Sequence, residues 1–335
     1  EIFQKFNLKM VDLSSRNANA KIPLGETFSL IANYNKLGIS QRTIFTSLSQ
    51  LLNEKIIKHR VVRRRTLQAK LSFDIFFKNL SKYKPSFSTF FTNHVASAQH
   101  RYWLAKYPND YSKIYYSNKW ISDYKNEIDF AMNNVNYFLG KLIKFISKNK
   151  EYQLILSSSM GQEATENSSP ITSQLYLTNF KKFLNFFDIN PSYFLKKRSM
   201  LPQINFEILK NKDDLIQKLN KLKINNEKLK FEVVDNFFSI TFGHENLLAE
   251  DIKVIYENQV INYKDLGLDN VIIQDAANTT AYHIPEGILL SYPNYAVDKN
   301  ISNISTNNIA PSILNNFGLN APNYMSKPID LINNV

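Results

Sequence analysis

One long amphipathic stretch constrains the fold of this chain more than any other feature. Between residues 122 and 150, Ile128, Ala131, Val135, Phe138, Leu139, Leu142, Ile143 and Ile146 recur at the spacing of one helical face, with lysines interspersed. A β-prone run, S-F-S-T-F-F at residues 86–91, precedes it behind the breaker Pro85. Y-Q-L-I-L at residues 152–156 follows it as a buried-strand candidate. Strand, long helix and strand in succession predict a βαβ unit, hence parallel strands joined by a right-handed crossover. Sites in such sheets form at the carboxyl ends of strands, so residues 92–100 and 157–163 are the loops where chemistry is expected.

The rest of the chain divides around that unit. Residues 40–52 predict a helix with Ile44, Phe45, Leu48, Leu51 and Leu52 on one face. Residues 170–260 read as an inserted α+β or cap subdomain, with helices at 174–187 and 212–222 and a strand pair or one long strand at 230–242. Strands at 271–273 and 287–292 return the chain to the sheet. A last helix begins at Asn308, with Pro311 in its first turn and Gly318 just past its end. The expected organisation is therefore an α/β core at 1–169, the insertion at 170–260, and the remainder of the core at 261–335.

Composition narrows the chemistry. With 44% hydrophobic and 21% charged residues over 335 positions, the chain reads as globular. No run approaches the roughly 18 apolar residues of a membrane span. Cysteine is absent, which excludes disulfides, thiolate metal sites and a cysteine nucleophile together. The net charge of +12 favours anionic partners such as phosphate esters or sulfated glycans. The densest positive run is Lys58-His59-Arg60-Val61-Val62-Arg63-Arg64-Arg65. Its Arg63 and Arg64 are candidates for anion recognition, because a guanidinium fork binds two oxygens at once, but the same run also reads as a solvated or internally paired face. Aromatics are not interleaved with it and no nucleic-acid motif accompanies it, so nucleic acid is not an expected partner. Tyr111, Tyr115, Tyr116 and Trp120 read either as a sugar-stacking surface or as packing.

Histidines supply the candidate metal ligands: His59, His94, His100, His244 and His283. His94 and His100 share the segment T-N-H-V-A-S-A-Q-H-R-Y-W, with Asn93 beside them. His283 heads H-I-P-E-G-I-L-L, which is followed by N-I-A-P-S-I-L at residues 308–314 and by Gly318-Leu319. This C-terminal pattern resembles the signature of the type I phosphodiesterase/nucleotide pyrophosphatase branch of the alkaline phosphatase superfamily. There the first segment supplies a metal-binding histidine, and Gln99-His100-Arg101-Tyr102-Trp103 is similar to a second metal-binding segment of that family. Ala96 stands where the family has an aspartate, leaving Asn93 or His94 as possible substitutes. A further departure is L-I-L-S-S-S-M-G at residues 154–161, where related enzymes carry S-D-H-G-M: Ser158 and Ser159 occupy the places of the Asp-His pair. Gln162 and Glu163, just beyond, can donate oxygen.

The resemblance implies an alkaline phosphatase-like α/β fold, a mostly parallel sheet flanked by helices. It implies a metal-dependent hydrolase of phosphate esters, of phosphodiesterase or phosphatase type with sulfatase activity as a variant, acting on an anionic small-molecule or sugar-linked substrate. The divalent metal is expected to be zinc, or Mg²⁺ or Ca²⁺ in an oxygen-rich site, held by His100, His283 and either His94 or Asn93. Arg101, Arg63, Arg64, Ser159 and Gln162 are the anion-binding candidates, and the nucleophile is expected upstream of Glu1. The alternative is a divergent, non-catalytic member that binds an anionic ligand or glycan.

Overall fold

The computed structural model describes residues 1–11, 22–166, 169–199, 202–293 and 303–329. The chain opens with helices: α1 (Ile2–Val11), α2 (Leu24–Ala32), α3 (Tyr34–Leu37), α4 (Gln41–Ile56), α5 (Arg64–Tyr83), α6 (His94–Lys106), α7 (Asn118–Tyr124) and α8 (Glu127–Lys148). Helix α4 starts where Ser40 caps it, its hydroxyl accepting from the Thr43 amide at 3.2 Å. Ser40 is itself anchored to α5, donating to the Asp74 carboxylate through its amide (2.9 Å) and hydroxyl (2.8 Å). Helix α8 carries Glu127 and Asp129 in its first turn and Lys148 in its last, the charge order that its dipole favours.

Helix α8 forms as its periodicity predicts, but much of its apolar stripe is covered by other helices, and only its last turns meet Tyr152 and Leu154 at the start of β1. Phe138 stacks on Phe73 of α5 with ring centroids 4.3 Å apart, and both are buried. The run at 86–91 is not a strand. Phe90 inserts its ring against Phe73, Phe76 and Phe138, and the more exposed Phe87 meets Phe317 edge-on, so this segment is held by aromatic contacts and not by a ladder.

Strands begin after α8. β1 (Leu154–Ser158) and β2 (Gly161–Ala164) are joined by a two-residue turn, and β3 (Ser173–Leu177) leads into α9 (Phe180–Phe186). Then come β4 (Phe194–Lys197), β5 (Gln203–Ile208), α10 (Lys212–Asn220), β6 (Leu222–Ile224), β7 (Glu227–Lys228), β8 (Lys230–Val234) and β9 (Phe237–Thr241). β10 (Val254–Tyr256), β11 (Gln259–Ile261), β12 (Leu268–Ile272), β13 (Ala281–Ile284), β14 (Ile288–Tyr292) and α11 (Ile309–Asn316) complete the order. Among the described residues every ladder is antiparallel, in sheets of two or four strands. The alkaline phosphatase-like, mostly parallel sheet expected from the sequence is therefore not what this chain forms. The predicted strand at 152–156 is present as β1, but its partner is β14, running the opposite way. Residues 174–187, expected as one helix, divide into β3 and α9, because Leu175, Tyr176 and Leu177 are all buried in a pairing with β12.

Of the four apolar clusters among the described residues, two bear on the site and the strands around it. One lies within residues 175–268, where Phe183, Phe187, Phe206 and Phe238 pack between α9, α10 and the sheets β4-β5-β9-β8 and β11-β10-β6-β7. The other joins α6 and α7 through Tyr102, Leu104, Trp120 and Tyr124, and includes Ala277 from the segment before β13.

Two short ladders bring distant parts of the chain together. β1 pairs with β14 and β2 with β13, so residues 154–164 lie alongside residues 281–292. The turns that join each pair of strands meet at Gly287, where a Cβ would stand 1.8 Å from the Ser158 carbonyl oxygen. Only a residue without a side chain lets the backbones approach this closely. Gly287→Ala is therefore expected to destabilise the protein by about 1–3 kcal/mol, as overpacking does. Gly140→Ala, in α8 with nothing within 4 Å of the added atom, is expected to stabilise it by about 0.5–1 kcal/mol. Urea denaturation of the two variants against wild type checks both signs.

Candidate functional site

His100 and His283 are 183 positions apart in sequence, yet their rings meet at 4.6 Å between centroids, nearly perpendicular at 82°. Helix α6 delivers His100 and strand β13 delivers His283. Gln162 stands directly opposite His283 in the β2–β13 ladder and reaches both rings. Its Nε2 lies 3.2 Å from His100 Nε2 and 3.1 Å from His283 Nδ1.

The protonation pattern follows from the partners. His100 Nδ1 lies 2.6 Å from the Ala281 carbonyl oxygen, which only accepts, so Nδ1 carries the proton and Nε2 a lone pair. Burial is the main influence on His100 and lowers its pKa; the Ala281 bond opposes this and the neighbouring His283 adds to it, keeping the ring neutral below the usual histidine range. Gln162 then donates to His100 Nε2 and His283 Nδ1, two lone pairs directed at one place. In this orientation its other end, Oε1, is buried without a hydrogen-bond partner. The ends of a carboxamide exchange by a half-turn, so the same place has two imidazole nitrogens and one orphaned amide oxygen within reach.

The remaining sequence candidates go elsewhere. Residues 94–106 are helix and not loop, and His94 lies on a different face of α6 from His100. It is buried, its Nε2 donating to the Ala131 carbonyl at 3.2 Å and its Nδ1 accepting from Thr92 Oγ1 at 2.7 Å. Both nitrogens are thereby used, and the structure does not bring His94 to the pair. Asn93 precedes the helix, exposed, with no side-chain capping bond. Arg101 points into the protein, where its Nε donates to Asp275 Oδ2 at 2.6 Å and its Nη2 to Asp275 Oδ1 and, at 3.2 Å, to the Ala277 carbonyl. Arg63 forks onto Glu127 at 2.7–3.0 Å, and Arg64 pairs with Glu54. All three arginines are internal ties, which for Arg63 and Arg64 is the second of the two readings that the basic run allowed. Ser159 lies exposed between β1 and β2, and Ser158 Oγ donates to the Met160 carbonyl at 2.6 Å. Tyr116 and Trp120 are core residues and not a sugar platform, and Tyr111 donates its hydroxyl proton to the Thr280 carbonyl.

Three contributors escaped the sequence reading. The Ala281 carbonyl fixes the His100 tautomer, Thr280 clasps the α6 backbone by donating its amide to the His100 carbonyl at 2.6 Å, and Tyr282 packs its ring against both histidines. Two act through the backbone, which leaves no residue-type signal. Tyr282 adjoins His283 in sequence and is marked only by that proximity.

Among the described residues no group of three or more His, Cys, Asp or Glu stands together as a metal site. The donor set at the pair is two imidazoles and one carboxamide. No protein-family model matches the chain, and no curated protein or solved structure shows similarity to it. The likeness to the phosphodiesterase signature thus rests on its short motifs, and the site stands on its own geometry.

Burial also sets an acid limit on the fold. His94 is held neutral because desolvation depresses its pKa, against the smaller pull of the Ala131 bond. Its unfolded-state value is near 6.5, so the stability it contributes is complete above about pH 6.5 and is lost as pH falls through the lower folded value. Thermal midpoints measured from pH 8 to pH 4 should therefore fall more steeply below about 6.5 for wild type than for His94→Gln.

Proposed function

We propose that the chain is a metal-dependent hydrolase of phosphate esters, with His100 and His283 as the first ligands of one divalent ion and Gln162 Oε1 as the third donor. The observation that carries this reading is the convergence of two imidazole lone pairs on a buried amide whose oxygen has no partner. Three protein donors leave coordination positions for water and substrate, the arrangement of catalytic rather than structural zinc. Nitrogen donors favour zinc or a similar transition ion over Mg²⁺ or Ca²⁺.

The chain's own residues do the positioning. Ala281 orients His100 through Nδ1, the kind of outer contact that fixes a ligating imidazole. The β2–β13 register holds Gln162 across from His283. A bound divalent ion would polarise a phosphoryl oxygen and lower the pKa of a water molecule. The net charge of +12 favours the approach of an anionic ester from a distance. The likeness of the segments around His100 and His283 to phosphodiesterase motifs supports the reaction class.

Metal content and hydrolysis of a chromogenic phosphodiester, measured on the same preparations, test the reading. One equivalent of zinc in wild type, reduced at least about tenfold in affinity by either His100→Ala or His283→Ala, is expected, with turnover falling in parallel. Affinity should weaken as pH falls, because protons compete for the same nitrogens. No zinc bound in wild type sinks the proposal. Zinc bound without turnover would favour the alternative, a divergent protein that holds an anionic ligand without cleaving it.

A further inference from the structure

A second polar cluster lies among the helices and shares no residue with the histidine pair. Three cations surround the ring of Tyr137 on α8: Lys141 Nζ lies 5.0 Å from its centroid, Lys70 Nζ 5.1 Å and Arg42 Cζ 5.6 Å. They come from three elements, Arg42 from the first turn of α4, Lys70 from α5 and Lys141 from α8. The carboxylate facing them is Asp74, one turn beyond Lys70, and it is heavily committed. It accepts twice from Ser40 and meets Lys141 Nζ at 3.4 Å. Three positive charges therefore face one negative charge.

Lys70 makes the imbalance informative. The residue is only 7% exposed, yet its ammonium is not sealed from solvent; among the described residues it has no hydrogen-bond acceptor and lies 5.1 Å from the centroid of the Tyr137 ring. An aromatic face attracts a cation but does not accept three N–H bonds. The Arg42 guanidinium also lacks a hydrogen-bond partner among the described residues, and the residue is exposed. Three internal arginines behave differently: Arg63, Arg64 and Arg101 each fork onto a carboxylate, whereas Arg65 meets the Ser97 hydroxyl. Arg42 and Lys70, by contrast, keep free donors around one aromatic ring.

We infer that Arg42, Lys70 and Lys141 form a binding site for a phosphate or sulfate group. A tetrahedral anion offers the acceptors that Arg42 and Lys70 lack, its oxygens suit a guanidinium fork, and its charge offsets the local excess. Ser40, at the start of α4, places the positive end of that helix beside the same cluster. The Lys70 pKa points the same way. Burial lowers it most and the Arg42 charge next, Asp74 partly restores it, and Lys141 lowers it again. A bound anion would relieve the first two effects together.

The test uses the full chain in chelator, so that metal at the histidine pair plays no part. Inorganic phosphate is titrated against chloride at matched ionic strength, with binding followed by calorimetry and thermal midpoint. A saturable rise in midpoint with phosphate is expected. Its apparent dissociation constant should increase about tenfold or more in Arg42→Gln and in Lys70→Met, as loss of a charged hydrogen bond requires. The rise should survive in the His100→Ala, His283→Ala double variant, which separates this site from the proposed ester site. Lys70→Met without phosphate should be at least as stable as wild type, because it removes a desolvated charge. Arg42→Gln alters an exposed side chain and keeps the test sound if the core variant misfolds.

Vesicles of phosphatidic acid in phosphatidylcholine form the second arm. Binding to vesicles that needs Arg42, without response to inorganic phosphate, assigns the phosphate group to a lipid headgroup. Response to inorganic phosphate alone assigns it to a soluble ligand. A midpoint that moves no further with phosphate than with chloride, together with vesicle binding that is absent or unaffected by Arg42→Gln, overturns the inference.

Discussion

The buried ion pair between Arg101 and Asp275 is the tie on which the histidine pair depends. It joins α6 to the segment that leads into β13, and each partner is almost wholly removed from water. Asp275 also accepts from the Tyr102 hydroxyl at 2.7 Å, and its backbone carbonyl accepts from Trp120 Nε1 at 2.7 Å. Leaving either charge alone in this core would cost about 3–5 kcal/mol, so the two elements stay in register. From that fixed point Thr280 grips the α6 backbone and Ala281 reaches His100. His283, two residues farther on, has little freedom left in where it lies.

Parts of this architecture were legible in the sequence for a plain reason. Helices α8 and α10 show their apolar faces at helical spacing, and the hairpin of β8 and β9 and strand β14 show β-type runs bounded by turns; α4 forms where its spacing predicts, but Phe45, Leu48 and Leu52 of its apolar face stay exposed. Periodicity reports which face is buried, but not what buries it. The stripe of α8 is the clear case: a helix covered by Phe73 and its neighbours has the same pattern as one lying on a sheet. Strand direction is equally silent in composition, and so β1 was legible while its antiparallel pairing with β14 was not.

Two segments near the site read as loops and are not: residues 157–163 are divided between β1, a turn and β2, and residues 94–106 are helix α6. Ala98, Arg101, Tyr102, Leu104 and Ala105 are all buried, and His94 is buried at its start, so polar and apolar positions do not separate into two faces. A helix surrounded by protein loses the contrast by which sequence reveals it. Even so, His100, His283 and Gln162 were each marked in the sequence, and they are the three that meet. The arginines marked beside them share only the residue type that suits anions. Each instead neutralises a carboxylate of the fold.

The separation of those three residues along the chain bears on the order in which the molecule is made. His100 is joined to Ala281 across 181 positions, and Gln162 to His283 across 121. During synthesis the helical bundle and the Phe206-centred core can form from contiguous chain, but the donor set is complete only when β13 has emerged and paired with β2. Closing so wide a loop is the slow, entropically costly kind of contact. A nascent chain consequently presents Gln162 and His100 without their third member, and capture of the proposed metal belongs to the finished protein.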